Sequence, residues 1–223
     1  MDLLSAELSA ETLAALQAHL TAAKLDEDND VSEDFRLSQF WYDTKTGDAL
    51  ALEAMEHSND GPIAFVSTPA AFKALKALHP ERKNVYLFEY DHRFQDKYPD
   101  EFAFYDYNSP LDVDAKFHHF FDYVLVDPPY LNTNCMSKFA DTMRLLSKKT
   151  EKRDGAKDVI LTPNAFITAS ILRKDMKKDL GFTPSGFVPT FESKLSNHFL
   201  TYTNYTSSRF GPSTDDYSSD DDA

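Results

Sequence analysis

The sequence predicts a doubly wound α/β fold: a largely parallel sheet of seven strands whose last strand is antiparallel. Short apolar runs, typical of buried strands, alternate with helical segments between about residues 35 and 210. The run at residues 121–126 stops abruptly at Asp127 and two prolines, as a buried parallel strand does at the carboxyl edge of a sheet. Residues 187–191 and 198–205 are two later runs joined by a polar turn, and they predict an antiparallel pair that closes the sheet.

The other elements can be placed in chain order from the same signals. The first five strands are predicted at residues 62–67, 85–89, 102–105, 123–126 and 158–161. Pro69 opens a helix that runs to about residue 78, because proline is tolerated at the first helical position. Thr162 as N-cap and Pro163 at the first position predict a second helix that runs to about residue 180.

The 223 residues suit one catalytic domain with short appendages. We expect an N-terminal amphipathic helix and acidic linker at residues 1–34, a catalytic domain at 35–210 and a disordered acidic tail at 211–223. Residues 26–34 carry six acids and residues 212–223 carry five, with no Lys or Arg in either segment. Subtracting these eleven acids from the net charge of −14 leaves −3, so the domain itself is nearly neutral.

Charge and composition exclude several classes of protein. A duplex-DNA binder needs a basic face, and none is evident, so we expect no stable binding to nucleic acid; acidic flanks suit a basic protein partner. No apolar stretch approaches the ~20 residues of a membrane span, and the N-terminus lacks the basic start of a signal peptide. Cys135 is the single cysteine, which rules out an internal disulfide. We therefore expect a soluble, cytoplasmic monomer.

The histidines give no sign of a metal site. His118 and His119 are adjacent, so their side chains cannot share one face of a helix or strand. A zinc site built from cysteines is also excluded, because the chain has only one. We expect no bound metal.

The residues after the fourth strand predict a site that binds an amino group. The Asp127 carboxylate and the carbonyl of Pro128, which has no N–H, can converge as acceptors on one –NH2 group. Tyr130 adds an electron-rich face that can stack on a nucleobase or hold a lysine head group. Asp-Pro-Pro-Tyr resembles the signature of S-adenosylmethionine-dependent methyltransferases that act on planar or terminal amino groups. The alternative is an ordinary turn that happens to contain two prolines.

Acidic residues also follow the second and third predicted strands. Glu89 ends the second strand, where a carboxylate can accept both ribose hydroxyls of a nucleoside, although Asp91 competes for that role. After the third strand, Asp106 could accept from an adenine amino group while Tyr107 lies against the ring. Each residue could instead be a surface acid or a turn cap. Three acids at the ends of successive strands nevertheless point to one nucleoside-containing cofactor.

Four blocks of the sequence resemble, in order and spacing, the eukaryotic elongation factor 1-alpha lysine methyltransferases. They are Leu37-Ser38-Gln39-Phe40-Trp41-Tyr42, Phe88-Glu89-Tyr90-Asp91, Phe104-Tyr105-Asp106-Tyr107-Asn108 and Asp127-Pro128-Pro129-Tyr130. The resemblance spans roughly residues 35–207. It implies a Rossmann-like methyltransferase fold, S-adenosyl-L-methionine as cofactor and elongation factor 1-alpha as the protein substrate.

The sequence departs from the wider methyltransferase superfamily after the first strand, where residues 66–70 contain no glycine. Ser67, and Gln39 from the N-terminal block, are the candidates to hold the methionine end of the cofactor. The helix N-terminus at Pro69 also favours a carboxylate there.

The expected reaction is direct transfer of a methyl group to a neutral lysine amine. Asp127 and the Pro128 carbonyl orient the amine, and Tyr130 holds the head group by a cation–π contact worth ~1–2 kcal/mol when desolvated. Trp41 and Tyr42 either wall the lysine channel or are core aromatics. Two rival functions remain open: methylation of adenine in DNA or RNA, and a non-catalytic subunit that keeps the fold without the cofactor.

Overall fold

A computed structural model describes residues 31–193 and 197–214. Within these residues the fold is built around one sheet of seven strands. The strands are β1 (Ile63–Val66), β2 (Val85–Glu89), β3 (Phe102–Phe104), β4 (Tyr123–Val126), β5 (Asn164–Ala169), β6 (Thr183–Pro184) and β7 (Phe199–Thr203). Their order across the sheet is β3-β2-β1-β4-β5-β7-β6.

The sheet is parallel except where β7 joins it. Strands β1 to β5 pair in parallel, whereas β7 runs antiparallel to both of its neighbours, β5 and β6. This arrangement confirms the predicted α/β fold with a mostly parallel sheet and an antiparallel last strand. Ala64 aligns with Tyr86 on one side and Val124 on the other, so the strand ends of β1, β2 and β4 meet at one edge.

The central strands are buried on both faces. Every residue of β1, β4 and β5 is buried, which is the pattern expected of parallel strands covered by helices. Aromatic rings fill both sides of the sheet: Phe65 lies 6.1 Å from Phe72, and Phe88 lies 5.1 Å from Phe117 (ring centroids). The sheet is therefore a rigid base for the residues that follow its carboxyl ends.

Helices cover the sheet, and two of them begin at a side-chain cap. Within the described ranges they are α1 (Thr44–His57), α2 (Pro69–Leu78), α3 (Arg93–Lys97), α4 (Thr133–Leu146) and α5 (Arg173–Leu180). Asp43 caps α1 by accepting from Thr46 N (2.8 Å), and Asn132 caps α4 by accepting from Cys135 N (2.9 Å). The helix predicted from Pro69 to residue 78 is confirmed. None of the described helices has the length and apolar character needed to span a bilayer.

The predicted fifth strand was misplaced. Residues 159–160 do form a strand, but it pairs only with Thr150–Glu151 in a separate two-stranded ladder. The strand that pairs with β4 in the main sheet is β5, at residues where the sequence predicted the start of a helix. Pro163 precedes a strand here, and Thr162 is no helix cap, because its Oγ1 accepts from Lys149 N (2.8 Å).

The helix predicted to start at Pro163 is correspondingly shorter, since α5 starts at Arg173 after a 3-10 turn at Ser170–Leu172. The side chain of Asn164 explains the change, because its Oδ1 accepts from Val124 N (2.9 Å) and ties this segment to β4. A short apolar run next to a proline fits a strand start as well as a helix start, and tertiary pairing decided between them.

The predicted partner of the last strand was also wrong. Residues 187–191 form no strand; β6 at Thr183–Pro184 pairs with β7 instead. Residues 185–192 form a loop whose Phe191 makes an isolated bridge to Tyr42. Aromatic content produced the strand-like signal, but these side chains pack against the N-terminal block and the C-terminal Phe210.

Several predictions lie outside the described residues. They are the N-terminal helix at residues 8–25, the acidic linker up to residue 30 and the acidic tail from residue 215. The compact unit that contains the sheet begins at Glu33.

Candidate active site

A cavity of about 590 Å3 opens at the carboxyl edge of the sheet. Residues that follow β1, β2, β3 and β4 contribute to its wall, which is where parallel α/β sheets place their ligands. It is lined by all ten residues predicted for the site: Gln39, Trp41, Tyr42, Ser67, Glu89, Asp106, Tyr107, Asp127, Pro128 and Tyr130.

The Asp-Pro-Pro-Tyr segment turns away from β4 directly into this cavity. Asp127 N donates to Val66 O (3.1 Å), the last ladder contact before the two prolines remove further donors. Tyr130 is 46% exposed, and its ring centroid lies 5.7 Å from that of Tyr107. The segment therefore presents the Asp127 carboxylate to the cavity and the exposed ring of Tyr130 near its opening.

Tyr42 reaches the same carboxylate from the N-terminal block. Its hydroxyl donates to Asp127 Oδ2, and its side chain is buried, with only 4% exposed. The sequence offered Tyr42 either as a wall of the substrate channel or as a core aromatic. The structure shows a third role, which neither prediction included: a direct hydrogen bond to Asp127.

Burial changes the acid–base properties of this pair. Desolvation raises the pKa of Asp127 to about 7, with the charge of Glu89 acting in the same direction and the Tyr42 hydrogen bond opposing both. Desolvation also raises the pKa of Tyr42 well above its usual value, followed in effect by the Asp127 charge. Tyr42 is thus a neutral donor, and Asp127 titrates near neutrality.

Glu89 is the strand-end acid that faces the cavity. It is 5% exposed, and burial raises its pKa to about 7 against hydrogen bonds from the Asp91 and Tyr90 backbone and from Gln39. The competing Asp91 does not line the cavity, since its Oδ2 accepts from Arg93 Nη2 (2.6 Å) and Gln39 Nε2 (3.1 Å). Burial tends to raise the pKa of Asp91, but the Arg93 and Gln39 hydrogen bonds outweigh it and lower that pKa.

Asp106 and Tyr107 line the cavity after the end of β3. Asp106 Oδ1 accepts from Asn108 N (2.8 Å), so the turn-capping role allowed by the sequence is present while the residue also lines the cavity. Tyr107 stacks on Phe139, with 6.1 Å between ring centroids, and Lys138 Nζ lies 5.2 Å from its ring. The pKa of Tyr107 is raised, chiefly by desolvation.

The N-terminal block is held over the cavity by a clamp from the C-terminal part of the chain. Trp41 O accepts from Glu192 N (3.1 Å), and Asp43 N donates to Thr190 O (3.1 Å). Phe191 lies between these contacts, with its ring 5.0 Å from that of Tyr42. Phe191 and Phe199 also line the cavity; sequence reasoning missed them, because no local motif links them to residues about 150 positions earlier.

The turn after β1 reaches a glycine-like shape without glycine. Ser67 has a φ of 53°, in the left-handed region that favours glycine, and its N donates to Phe88 O (2.8 Å). Next to it, Thr68 Oγ1 is a buried polar atom for which no partner occurs in the described part of the chain, and the same holds for Trp41 Nε1. Both residues line the cavity, so it offers two polar atoms that a ligand could satisfy.

Residues 31–193 and 197–214 contain no group of three or more His, Cys, Asp or Glu side chains that could hold a metal ion. The acids of the cavity are spread over separate strand ends, which suits contacts to different parts of one organic ligand better than coordination of one ion.

Comparison with known proteins gives concordant matches. A family model described as Probable N6-adenine methyltransferase matches residues 33–207. The chain is 37% identical over 212 residues to EEF1A lysine methyltransferase 1 of Homo sapiens, covering 90% of this chain and 92% of that protein. It is 34% identical over 211 residues to a protein-lysine N-methyltransferase of Dictyostelium discoideum, covering 92% and 93%.

A solved structure resembles the fold as well. It is a branched-chain polyamine synthase mutein from Thermus thermophilus, with a TM-score of 0.56 and 15% sequence identity. The match covers 85% of this chain and 61% of that chain. At this identity the likeness concerns the fold alone.

Proposed function

The chain belongs to the family described as Probable N6-adenine methyltransferase and is a relative of EEF1A lysine methyltransferase 1, and from this premise we propose that it methylates a lysine of elongation factor 1-alpha. In this proposal the enzyme is an S-adenosyl-L-methionine-dependent protein-lysine N-methyltransferase. The curated relatives carry lysine-methyltransferase names, and this favours lysine over adenine as the acceptor.

One observation supports this proposal above the others. Asp127, Pro128 and Tyr130 line the same cavity as Glu89 and Asp106, although they come from three different strand ends. An incidental turn with two prolines does not require such convergence. A site that brings an amino group to a nucleoside-containing cofactor does.

The residues present fit S-adenosylmethionine. The cavity has the volume of a site for a small ligand, and Glu89 ends β2 where a carboxylate can accept ribose hydroxyls. Thr68 Oγ1 and Trp41 Nε1 are buried atoms that the polar methionine end would satisfy, beside Ser67 and the N-terminus of α2. When bound, the cofactor supplies an electrophilic methyl group on a sulfonium sulfur.

The adenine end of the cofactor would lie against the part of the cavity wall formed by Asp106 and Tyr107. Tyr107 offers a ring face, and Asp106 offers carboxylate oxygens for an exocyclic amino group. Gln39 would act less as a direct ligand than as a support, because its side chain hydrogen-bonds both Asp91 and Glu89. This assignment keeps Ser67, Glu89, Asp106 and Tyr107 as cofactor ligands, makes Gln39 a support and gives Asp127 to the acceptor amine.

The acceptor amine would be bound at the end of β4. Asp127 and the Pro128 carbonyl accept its hydrogens, and Tyr130 covers the head group at the opening. Lysine enters as ammonium, so a proton must leave before the nitrogen can act as nucleophile. A carboxylate with a pKa of about 7 accepts that proton far better than an ordinary aspartate would.

Partners and location complete the proposal. We propose that the protein works as a cytoplasmic monomer on a basic protein surface and does not bind nucleic acid stably. The edge strands support the monomer, because β3 has three residues and β6 has two, one of them Pro184. Light scattering on the purified chain tests the oligomeric state.

The decisive test is transfer of tritium from labelled S-adenosylmethionine to separately purified elongation factor 1-alpha, DNA and RNA. We expect label on the protein with the wild type and none with Asp127→Ala. Asp122→Ala is the matched control, because Asp122 precedes β4 and pairs with Lys148 (2.8 Å) away from the cavity.

Other patterns of label would contradict the proposal. Label on nucleic acid would show instead that the enzyme methylates adenine in DNA or RNA. Absence of label together with absence of cofactor binding would favour a non-catalytic subunit that keeps the fold.

A further inference from the structure

We propose that Tyr42 is a positioning residue that holds the Asp127 carboxylate ionised and aimed at the acceptor amine. Its hydroxyl donates to Asp127 Oδ2, which leaves Oδ1 as the acceptor for a second donor. Asp127 lines the cavity, so that second donor is the bound amine. The inference rests on the proposed lysine methyltransferase function, which supplies the amine.

The position of Tyr42 is fixed before any substrate arrives. Tyr42 pairs with Phe191 in an isolated bridge, and Asp43 N is held by Thr190 O (3.1 Å). Thr190 N in turn donates to Thr46 Oγ1 (3.0 Å) in the first turn of α1. A donor fixed in this way requires no reorganisation during the reaction, which is the condition under which a hydrogen bond contributes most to catalysis.

The hydrogen bond from Tyr42 helps to set the protonation state of Asp127. The titratable groups that act on Asp127 come from two other elements, Glu89 at the end of β2 and Tyr42 before α1. Burial and the Glu89 charge favour the protonated acid, whereas the Tyr42 hydroxyl favours the carboxylate. Without Tyr42, the balance near neutral pH therefore moves to the protonated acid, which cannot accept a proton.

The step that depends on this balance is a proton transfer. One N–H bond of the lysine ammonium breaks, and its proton forms an O–H bond with Asp127 Oδ1. The nitrogen keeps the electron pair and becomes a neutral nucleophile, while the carboxylate becomes a neutral acid. Tyr42 keeps its own proton throughout, since its pKa is raised well above the usual range.

The pH profile of kcat/KM for elongation factor 1-alpha distinguishes this role from a merely structural one. Below the pKa of Asp127 the carboxyl group must lose a proton before it can accept one from the bound ammonium, so log kcat/KM rises with a slope of about one; above that pKa the profile is level until lysine itself titrates. Tyr42→Phe should move this break upward by roughly one pH unit, because a hydrogen bond to a charged group changes an equilibrium by about tenfold. Activity at pH 7 should fall about fivefold and recover by pH 9.

The matched control is Tyr202→Phe. Tyr202 is also a buried tyrosine, whose hydroxyl donates to Ala169 O (3.3 Å) outside the cavity. We expect this variant to lose some stability and to keep the wild-type break. An equal loss of activity at every pH in Tyr42→Phe, or an unmoved break, would overturn the proposal.

A direct titration separates this inference from the proposed function. Carbon-13 NMR of aspartate-labelled protein, with the Asp127 signal assigned by its loss in Asp127→Asn, gives the carboxyl pKa without any substrate. We expect this pKa to rise in Tyr42→Phe. An unchanged pKa would refute the role of Tyr42 even if the enzyme methylates lysine, and absence of methylation would refute only the function.

A second variant covers the case in which Tyr42→Phe does not fold. Fluorotyrosine at position 42 keeps the size of the ring but makes the hydroxyl a stronger donor. We expect both the break and the Asp127 carboxyl pKa to move to lower pH, opposite to the phenylalanine variant. A shift in the same direction as Tyr42→Phe would contradict the assignment.

Discussion

At the scale of single residues, we predict that Glu89 couples cofactor binding to proton release. Burial raises its pKa to about 7, so near neutral pH part of the population carries a proton. Ribose hydroxyls donate to the carboxylate and therefore favour the ionised form. Binding of S-adenosylmethionine should be linked to pH through this one side chain.

We predict that affinity for S-adenosylmethionine falls about tenfold per pH unit below pH 7 in the wild type. In Glu89→Gln the affinity should be at least about tenfold weaker at pH 8, because a hydrogen bond to a charged acceptor is lost, and nearly independent of pH. Isothermal titration calorimetry between pH 5.5 and 8.5 measures both. Identical slopes in the two proteins would exclude Glu89 as the linked group.

The same reasoning predicts that Asp127 costs stability at alkaline pH. Its pKa is raised from 3.8 in the unfolded chain to about 7 in the folded protein, so stability is lost as pH rises between these values, where the unfolded chain releases this proton and the folded protein retains it. Asp127→Asn should raise the free energy of unfolding by about 1–3 kcal/mol at pH 8 and change it little at pH 4. Urea denaturation of the ligand-free protein measures this.

The control for that prediction is Asp122→Asn, which loses an ion pair with Lys148 and should bring no gain at pH 8. An equal gain at both pH values in Asp127→Asn would mean that packing, and not charge, sets the effect.

The identity of the site residues was more accessible from sequence than their roles. All ten predicted residues line one cavity, because each follows a strand end or belongs to the Gln-Phe-Trp-Tyr block. Sequence favoured Glu89 over Asp91 from its place at the strand end, but it could not show that Arg93 binds Asp91. Nor could it reveal the hydrogen bond from Tyr42 to Asp127, a contact across 85 positions.

At the scale of elements, the β1–α2 turn stores strain at the cavity. Ser67 occupies the left-handed region at a φ of 53°, which costs a non-glycine residue about 1 kcal/mol or more. Ser67→Gly should raise the free energy of unfolding by about 0.5–1 kcal/mol, because the relief of strain exceeds the added entropy of the unfolded chain. Chemical denaturation measures it, with Ser67→Ala, which keeps the strain, as the variant expected to show no gain.

Helix α1 is tied to the C-terminal segment through a buried carboxylate. Glu53 is fully buried, and its oxygens lie 3.1 Å from His57 Nε2 and 3.3 Å from Arg209 Nε. Arg209→Met removes one partner and should cost about 1–3 kcal/mol, because a buried charge is left less compensated. Lys116→Met breaks an exposed pair with Asp114 and should cost less than about 0.5 kcal/mol. Similar midpoints of urea unfolding for the two variants would refute the difference.

Elements with strong local sequence signals were predicted well, whereas elements that depend on strand pairing were not. The sequence located β2, β4 and α2 to the residue, because prolines or acids mark where these elements begin or end. It missed β5, whose run of Ala, Phe, Ile and Thr fits a helix or a strand equally well. Pairing with β4 and β7 selected the strand.

At the scale of the whole molecule, negative charge is concentrated in two segments on either side of the catalytic domain. The eleven acids in residues 26–34 and 212–223 account for most of the net charge of −14. If they attract a basic substrate, raising the ionic strength from 50 to 300 mM should increase KM for elongation factor 1-alpha severalfold, because salt screens such attraction.

Neutralising the tail tests this long-range attraction. Replacing Asp220, Asp221 and Asp222 by asparagine should weaken the dependence of KM on salt and leave kcat unchanged. Steady-state kinetics at both ionic strengths measure it. An unaltered dependence would show that the tail takes no part in substrate capture.

The position of β7 has a consequence for biosynthesis. This strand is the last of the sheet to be synthesised, yet it lies between β5 and β6, and Phe199 at its start lines the cavity. A nascent chain therefore cannot complete the sheet while β7 is still inside the ribosome, and until then β5 has an unpaired edge. Chains terminated before β7 should therefore be inactive and prone to aggregate.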